Sequence, residues 1–186
     1  MNMHIRAHQQ QGLSMIEVLV TIVILTFGLL GLAGLQSRLQ LSELESYQRA
    51  QGLILLDDMA NKIAVNRNNA ASYVTGTTIP TGVGVTCPTS TATRKDADLK
   101  DWCNALQGAS ETSSAAKVGA FIGGRGCVED LTGGRYLVTV AWQGMAAITA
   151  PPTSVACGKG AYNNAPSCLG DQCRRVLTTI VGVASL

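Results

Sequence analysis

The sequence predicts an α+β fold, in which a long amino-terminal helix precedes a small antiparallel sheet with a carboxy-terminal loop closed by cysteines. Three observations predict it. A helical pattern without proline runs from about Leu13 to Arg67, β-branched and aromatic runs lie towards the carboxy terminus, and six cysteines fall between Cys87 and Cys173.

The helix comes first in the chain and carries the strongest pattern. Between Val18 and Leu35, eighteen residues carry no charge, within the ~17 to 25 apolar residues that cross a bilayer as a helix. Glu17 stands at the entrance of this span. A carboxylate costs roughly 2.5 to 3.5 kcal/mol at the centre of a bilayer, so Glu17 marks a function and calls for a partner. Past the span, Leu55, Leu56, Met59, Ala60 and Ile63 recur on one helical face, while Asp57, Asp58, Asn61 and Lys62 fill the other. Asn68-Asn69 is expected to stop the helix, which at 1.5 Å per residue would be ~80 Å long. Gly28, Gly31 and Gly34 interrupt the span at intervals of three. In a water-exposed helix each costs ~1 kcal/mol relative to alanine; in a membrane, small residues allow close helix packing.

The rest of the chain reads as one compact domain. Thr75 to Thr93 is rich in threonine, glycine and proline and suits a loop with a short strand. Asp98 to Leu106 is expected to be a helix, with Leu99, Trp102, Cys103 and Leu106 on one side and Trp102 in the core. Ala109 to Lys117 is low in complexity and reads as a mobile surface connection. Strands are expected over Gly126 to Leu131, Arg135 to Trp142 and Val176 to Val183, the first two joined by a hairpin at Gly133-Gly134. The connection from Gln143 to Cys173 exceeds the ~12 to 15 residues usual for an unstructured loop, so it is either functional or stapled.

Charge and composition exclude several classes. Lysine plus arginine is 14 against 12 acids, so the basic excess of a nucleic-acid binder is missing and no nucleic-acid partner is expected. Arg94-Lys95 and Arg174-Arg175 read as solvated surface, as do Glu129, Asp130 and Asp171, which lack the ligand spacing of a calcium loop. Gly123-Gly124-Arg125-Gly126 suits a tight turn, because no lysine and serine of a phosphate loop follow it. Both histidines, His4 and His8, lie before residue 12. No motif supports catalysis, and no enzyme activity, cofactor or metal is expected. Cys87, Cys103, Cys127, Cys157, Cys168 and Cys173 contain no C-x2-C zinc knuckle. In an oxidising compartment they are disulfide candidates, and a bridge from Cys157 to Cys168 or Cys173 is expected to close the carboxy-terminal loop.

Gly12-Leu13-Ser14-Met15-Ile16-Glu17, running straight into the apolar span, resembles the class III signal of type IV pilins and pseudopilins. An ordinary secretory signal cut after Ala33 competes with this reading. The apolar run exceeds the ~7 to 15 residues of such signals, and a glutamate at its entrance is foreign to them. The pilin resemblance implies cleavage by prepilin peptidase after Gly12, methylation of the new amino terminus at Leu13, and a filament-assembly role for Glu17. Many members have phenylalanine where this chain has Leu13. The resemblance also implies a pilin fold and three segments: a leader over 1–12, a helix over 13–67 with its transmembrane half at 13–35, and a periplasmic domain over 68–186. Gly28, Gly31 and Gly34 would then serve either helix packing or loosening of the helix on entry into the filament.

A finer likeness, to PilV-type minor pilins, rests on Gly28 to Gln36, the helix with Trp102, Val138-Thr-Val-Ala-Trp142 and Cys173-Arg174-Arg175. It implies a minor pilin that primes pilus assembly near the tip and supports twitching motility and adhesion. Its partners would be other minor pilins, the major pilin, prepilin peptidase and the inner-membrane assembly machinery. The protein would reside in the inner membrane before assembly and in the surface pilus after it. A type II secretion pseudopilin or a DNA-uptake minor pilin is the alternative.

Overall fold

The computed structural model describes residues 14–76, 80–109, 112–113, 116–117, 119 and 122–184. The chain forms two compact units, Met1–Ser42 and Glu43–Leu186. Helix α1 spans Met15–Val65. Within the first unit its apolar side chains are exposed, from Met15 through Leu41. Within the second unit Gln48, Gly52, Leu56, Met59 and Ile63 are buried, a stripe at helical spacing.

The second unit is built around a four-stranded antiparallel sheet. Its order is β1 (Thr81–Gly82), β4 (Arg125–Asp130), β5 (Arg135–Gln143) and β6 (Arg174–Gly182). Alternation along the strands sends Val128, Tyr136, Val138, Val140, Trp142 and Val181 into one core with Leu56, Met59 and Ile63 of α1. Helix α2 (Arg94–Leu106) adds Trp102 and Leu106. Gly52 lets α1 approach the sheet: a Cβ there would lie 3.1 Å from Leu177 and Trp142. At Gly126 a Cβ would collide with the Trp102 ring. The Trp102 indole, fully buried, donates to the Leu55 carbonyl at 2.9 Å and so ties α2 to α1. The hairpin between β4 and β5 turns through Thr132, Gly133 and Gly134, all at positive φ, a conformation glycine adopts without strain.

Several expectations need correction. Asn68-Asn69 does not end the helical path: α1 stops at Val65 and a 3-10 helix, Arg67–Tyr73, follows. Asn66 holds that junction by donating to the Tyr73 hydroxyl at 2.9 Å. Helix α2 begins a turn earlier than Asp98, because the Thr93 hydroxyl caps it by accepting from the Asp96 amide at 3.1 Å. The Ala109-to-Lys117 stretch contains a small antiparallel pair, β2 (Thr112–Ser113) with β3 (Ala116–Lys117).

The six cysteines form three disulfides, Cys87–Cys103, Cys127–Cys157 and Cys168–Cys173. Cys157 therefore pairs with neither Cys168 nor Cys173. The sheet register explains why: Cys127 stands opposite Thr139 on the face away from α1, and the long loop crosses that face with Cys157 and Tyr162 packed on Cys127 and Ala141. The loop is stapled to β4, and Cys168–Cys173 closes a second, small ring across a 3-10 turn at Pro166–Asp171.

Nor are Arg174 and Asp171 solvated. Arg174 is 1 % exposed. Its Nη1 donates to the carbonyls of Val155 and Cys157, and its Nε lies 3.4 Å from Asp171 Oδ2. Asp171 Oδ1 accepts from the Gly160 amide at 2.7 Å. Together they clamp the loop in three places. Arg175 is also engaged, 2.9 Å from Glu45 of α1. Glu129 is only half-exposed, and burial raises its carboxyl above the usual range.

Candidate functional site

Chemistry that points beyond the fold is concentrated in the first unit. Ser14 precedes α1, and its carbonyl accepts from the amides of Glu17 and Val18, opening the first turn. Glu17 is the acidic residue of that turn and is exposed. A carboxylate there favours the positive end of the helix dipole. Gly12 and Leu13, the expected cleavage pair, lie outside the described residues.

After Glu17 the helix presents an unbroken apolar surface. Ile24, Phe27, Leu30 and Leu35 are each 60 % exposed or more. Its hydroxyls are satisfied internally: Thr21 donates to the Val18 carbonyl at 2.8 Å and Thr26 to the Val23 carbonyl at 2.7 Å. Such back-bonding removes the cost of carrying a hydroxyl into lipid. Gly28, Gly31 and Gly34 have no neighbouring atom within 4 Å of a built Cβ. The glycines therefore fill no packing role within the described chain. This helix is long and apolar enough to cross a membrane.

In the second unit the buried polar groups serve the fold. Tyr73, fully buried, donates to Asp98 at 2.6 Å, and Asp98 also accepts from Arg94 at 3.1 Å. Burial, and then the hydrogen bond to Asp98, push the Tyr73 hydroxyl up to about 12. Tyr162 donates to the Gly123 carbonyl at 2.8 Å beneath the Arg125 guanidinium, and burial raises its hydroxyl as well. Nothing in the spacing of Tyr73 and Asp98 announces this pair, because it joins a 3-10 turn to a helix.

The residues the sequence singles out thus fall into two sets. Glu17 and the three glycines share the first part of α1, whose large apolar side chains are exposed from Met15 to Leu41. The cysteines staple the globular fold. Comparison with curated proteins and with solved structures gives no match. Residues 7–33 match the family described as Prokaryotic N-terminal methylation motif. The amino-terminal segment thus carries a methylation motif of the kind found in type IV pilin-like and pseudopilin proteins, and the helix it runs into is long and apolar enough to cross a membrane.

Proposed function

We propose that this chain is a minor pilin of a type IV pilus. The observation that carries the reading is a methylation signal joined to a helix whose apolar side chains are exposed from Met15 to Leu41, with Glu17 in its first turn. Such a surface needs lipid before assembly and neighbouring helices afterwards. Prepilin peptidase cuts between Gly12 and Leu13, and Leu13 is methylated. Its amine then stands four residues before Glu17, so both charges lie at one end of an apolar helix. A carboxylate there is satisfied most cheaply by the positive amine of an adjacent subunit, since charge pairs strengthen as the dielectric falls. Desolvation opposes the pair, which therefore specifies register more than it adds stability.

Three disulfides support a periplasmic domain, since such bonds persist in oxidising compartments. In this reading the protein waits in the inner membrane, joins other minor pilins and the major pilin through the assembly machinery, and primes pili near the tip. Twitching motility and adhesion would depend on it. Mass spectrometry of the protein purified from pili tests the first step. The expected amino terminus is Leu13 carrying one methyl group; a terminus at Gly34 would make the helix a discarded secretory signal and end the proposal.

A further inference from the structure

The two edges of the sheet differ. On the β4 side, the outward-facing backbone groups are taken: Val128 bonds Thr75 and Gly76, and the Gly124 carbonyl accepts from Val83. On the β6 side the phase of the ladder follows from two bonds, Val183 N–H to Gly134 and Gly144 N–H to Cys173. With the β5–β6 register they show that odd-numbered residues of β6 bond to β5. Even-numbered residues turn their N–H and C=O outward. Gln172 finds a partner there, the Ile148 amide at 2.9 Å. From Val176 through Thr178 and Ile180 to Gly182, no such partner exists among the described residues.

Natural edges of this length are guarded by proline, by a bulge or by charge. Val176 to Gly182 has no proline and no charged residue, and its register to β5 is continuous. The neighbouring arginines do not guard it, because Arg174 is buried under the loop and Arg175 is held by Glu45 and the Ala146 carbonyl. Thr178 and Gly182 are exposed, and Ile180 is 57 % exposed.

We infer that this edge pairs with β6 of a second copy of the chain, antiparallel and centred on Thr179. The occupant follows from two features. The loop at Ile148 blocks pairing at Gln172, so the open window runs from Val176 to Gly182 and its midpoint is Thr179. About that midpoint the strand is self-complementary: Thr179 meets Thr179, Leu177 meets Val181, and Thr178 meets Ile180. No charge meets a like charge, and the central Thr179–Thr179 pair is one that stabilises sheets. A two-fold axis through Thr179 makes the contact isologous and closed. The inference goes beyond the pilin proposal and stands whether or not that proposal does.

The full-length chain in detergent, carrying Thr179→Cys, tests it. The two Thr179 positions form a non-hydrogen-bonded pair, whose Cα separation of ~4.5 Å lies within disulfide range. Mild oxidation should give a cross-linked dimer at position 179 and, from a Thr178→Cys chain, about tenfold less. Adding Thr178→Pro to Thr179→Cys should abolish the cross-link while near-ultraviolet circular dichroism stays unchanged, because that N–H faces away from β5. Ile180→Lys, on an exposed side chain, should do the same without touching the backbone. Equal cross-linking at 178 and 179, a cross-link that survives Ile180→Lys, or cross-linking in cells only to a different protein would each overturn the inference.

Discussion

Helix α1 contains two helices in all but name. From Met15 to Leu41 its large side chains lie open, and the same element from Gln48 to Ile63 places a stripe of residues in the core. Composition alone does not separate them, since both parts are rich in leucine and isoleucine. The arrangement of polar residues does. Around Leu56 and Met59 one face is polar, so the apolar face needs only one partner, the sheet. Between Val18 and Leu35 the apolar residues go all the way round, which suits a membrane or a bundle of neighbours. One element thus serves folding at one end and, in the proposed function, assembly at the other.

If that division is real, equal truncations should have unequal consequences. Met59→Ala removes a fully buried side chain and should cost about 2 to 5 kcal/mol. Leu25→Ala, at a position 63 % exposed, should leave the unfolding of the globular unit unchanged. Near-ultraviolet melting in detergent, which follows Trp102 and Trp142, distinguishes the two. Similar losses at both sites would mean that the first part of α1 contributes to the fold.

The disulfides should divide by the chain they enclose. Cys127–Cys157 spans a separation of 30 and Cys168–Cys173 one of 5, so in the loop-entropy relation their removal costs about 3.6 and about 2 kcal/mol. Paired serine substitutions with urea titration should return that order. Reversal would show that the small ring supports the Asp171–Arg174 clamp more than it restricts the unfolded chain.

An effect comparable to that of the small ring is expected at Tyr73. Its hydroxyl titrates near 12 in the fold against 10 in the unfolded chain, so between those values the folded state retains a proton that the unfolded state has lost. Its stabilising contribution is therefore complete below pH 10 and declines as pH rises towards 12. Tyr73→Phe should cost roughly 1.5 to 3 kcal/mol, the worth of a hydrogen bond to a charged group, and should flatten that decline. A melting profile over this range that Tyr73→Phe does not alter would remove the assignment.

What the sequence discloses about these regions follows from the range of the interactions. The span, the second stripe of α1, and strands β5 and β6 are periodic patterns, legible within a short window. The Thr93 cap of α2 is local too, Thr93-Arg94-Lys95-Asp96 placing a hydroxyl three residues before an aspartate, but the apolar spacing alone puts the start of that helix at Asp98 and misses it. The partner of Cys157 is not local: it depends on which face of β4 Cys127 occupies, and a shift of one residue in register would reverse it. Burial of Arg174 is hidden for the same reason, because an Arg-Arg pair reads as surface until the loop carrying Val155 and Cys157 is laid over it. Gly12, Leu13 and Glu17 are singled out for a different reason, as a fixed motif before an apolar run, within the stretch 7–33 that matches the methylation-motif family.

Glu17→Ala is the most direct measurement of the division proposed for α1. The carboxylate is exposed and lies in the first turn of the helix, so membrane insertion, removal of the leader and melting of the globular unit should match the unsubstituted protein. The variant should be missing from sheared pili, and piliation should fall. Recovery of the Glu17→Ala protein in the filament fraction at the unsubstituted level would contradict the assembly role of the amino-terminal part of α1.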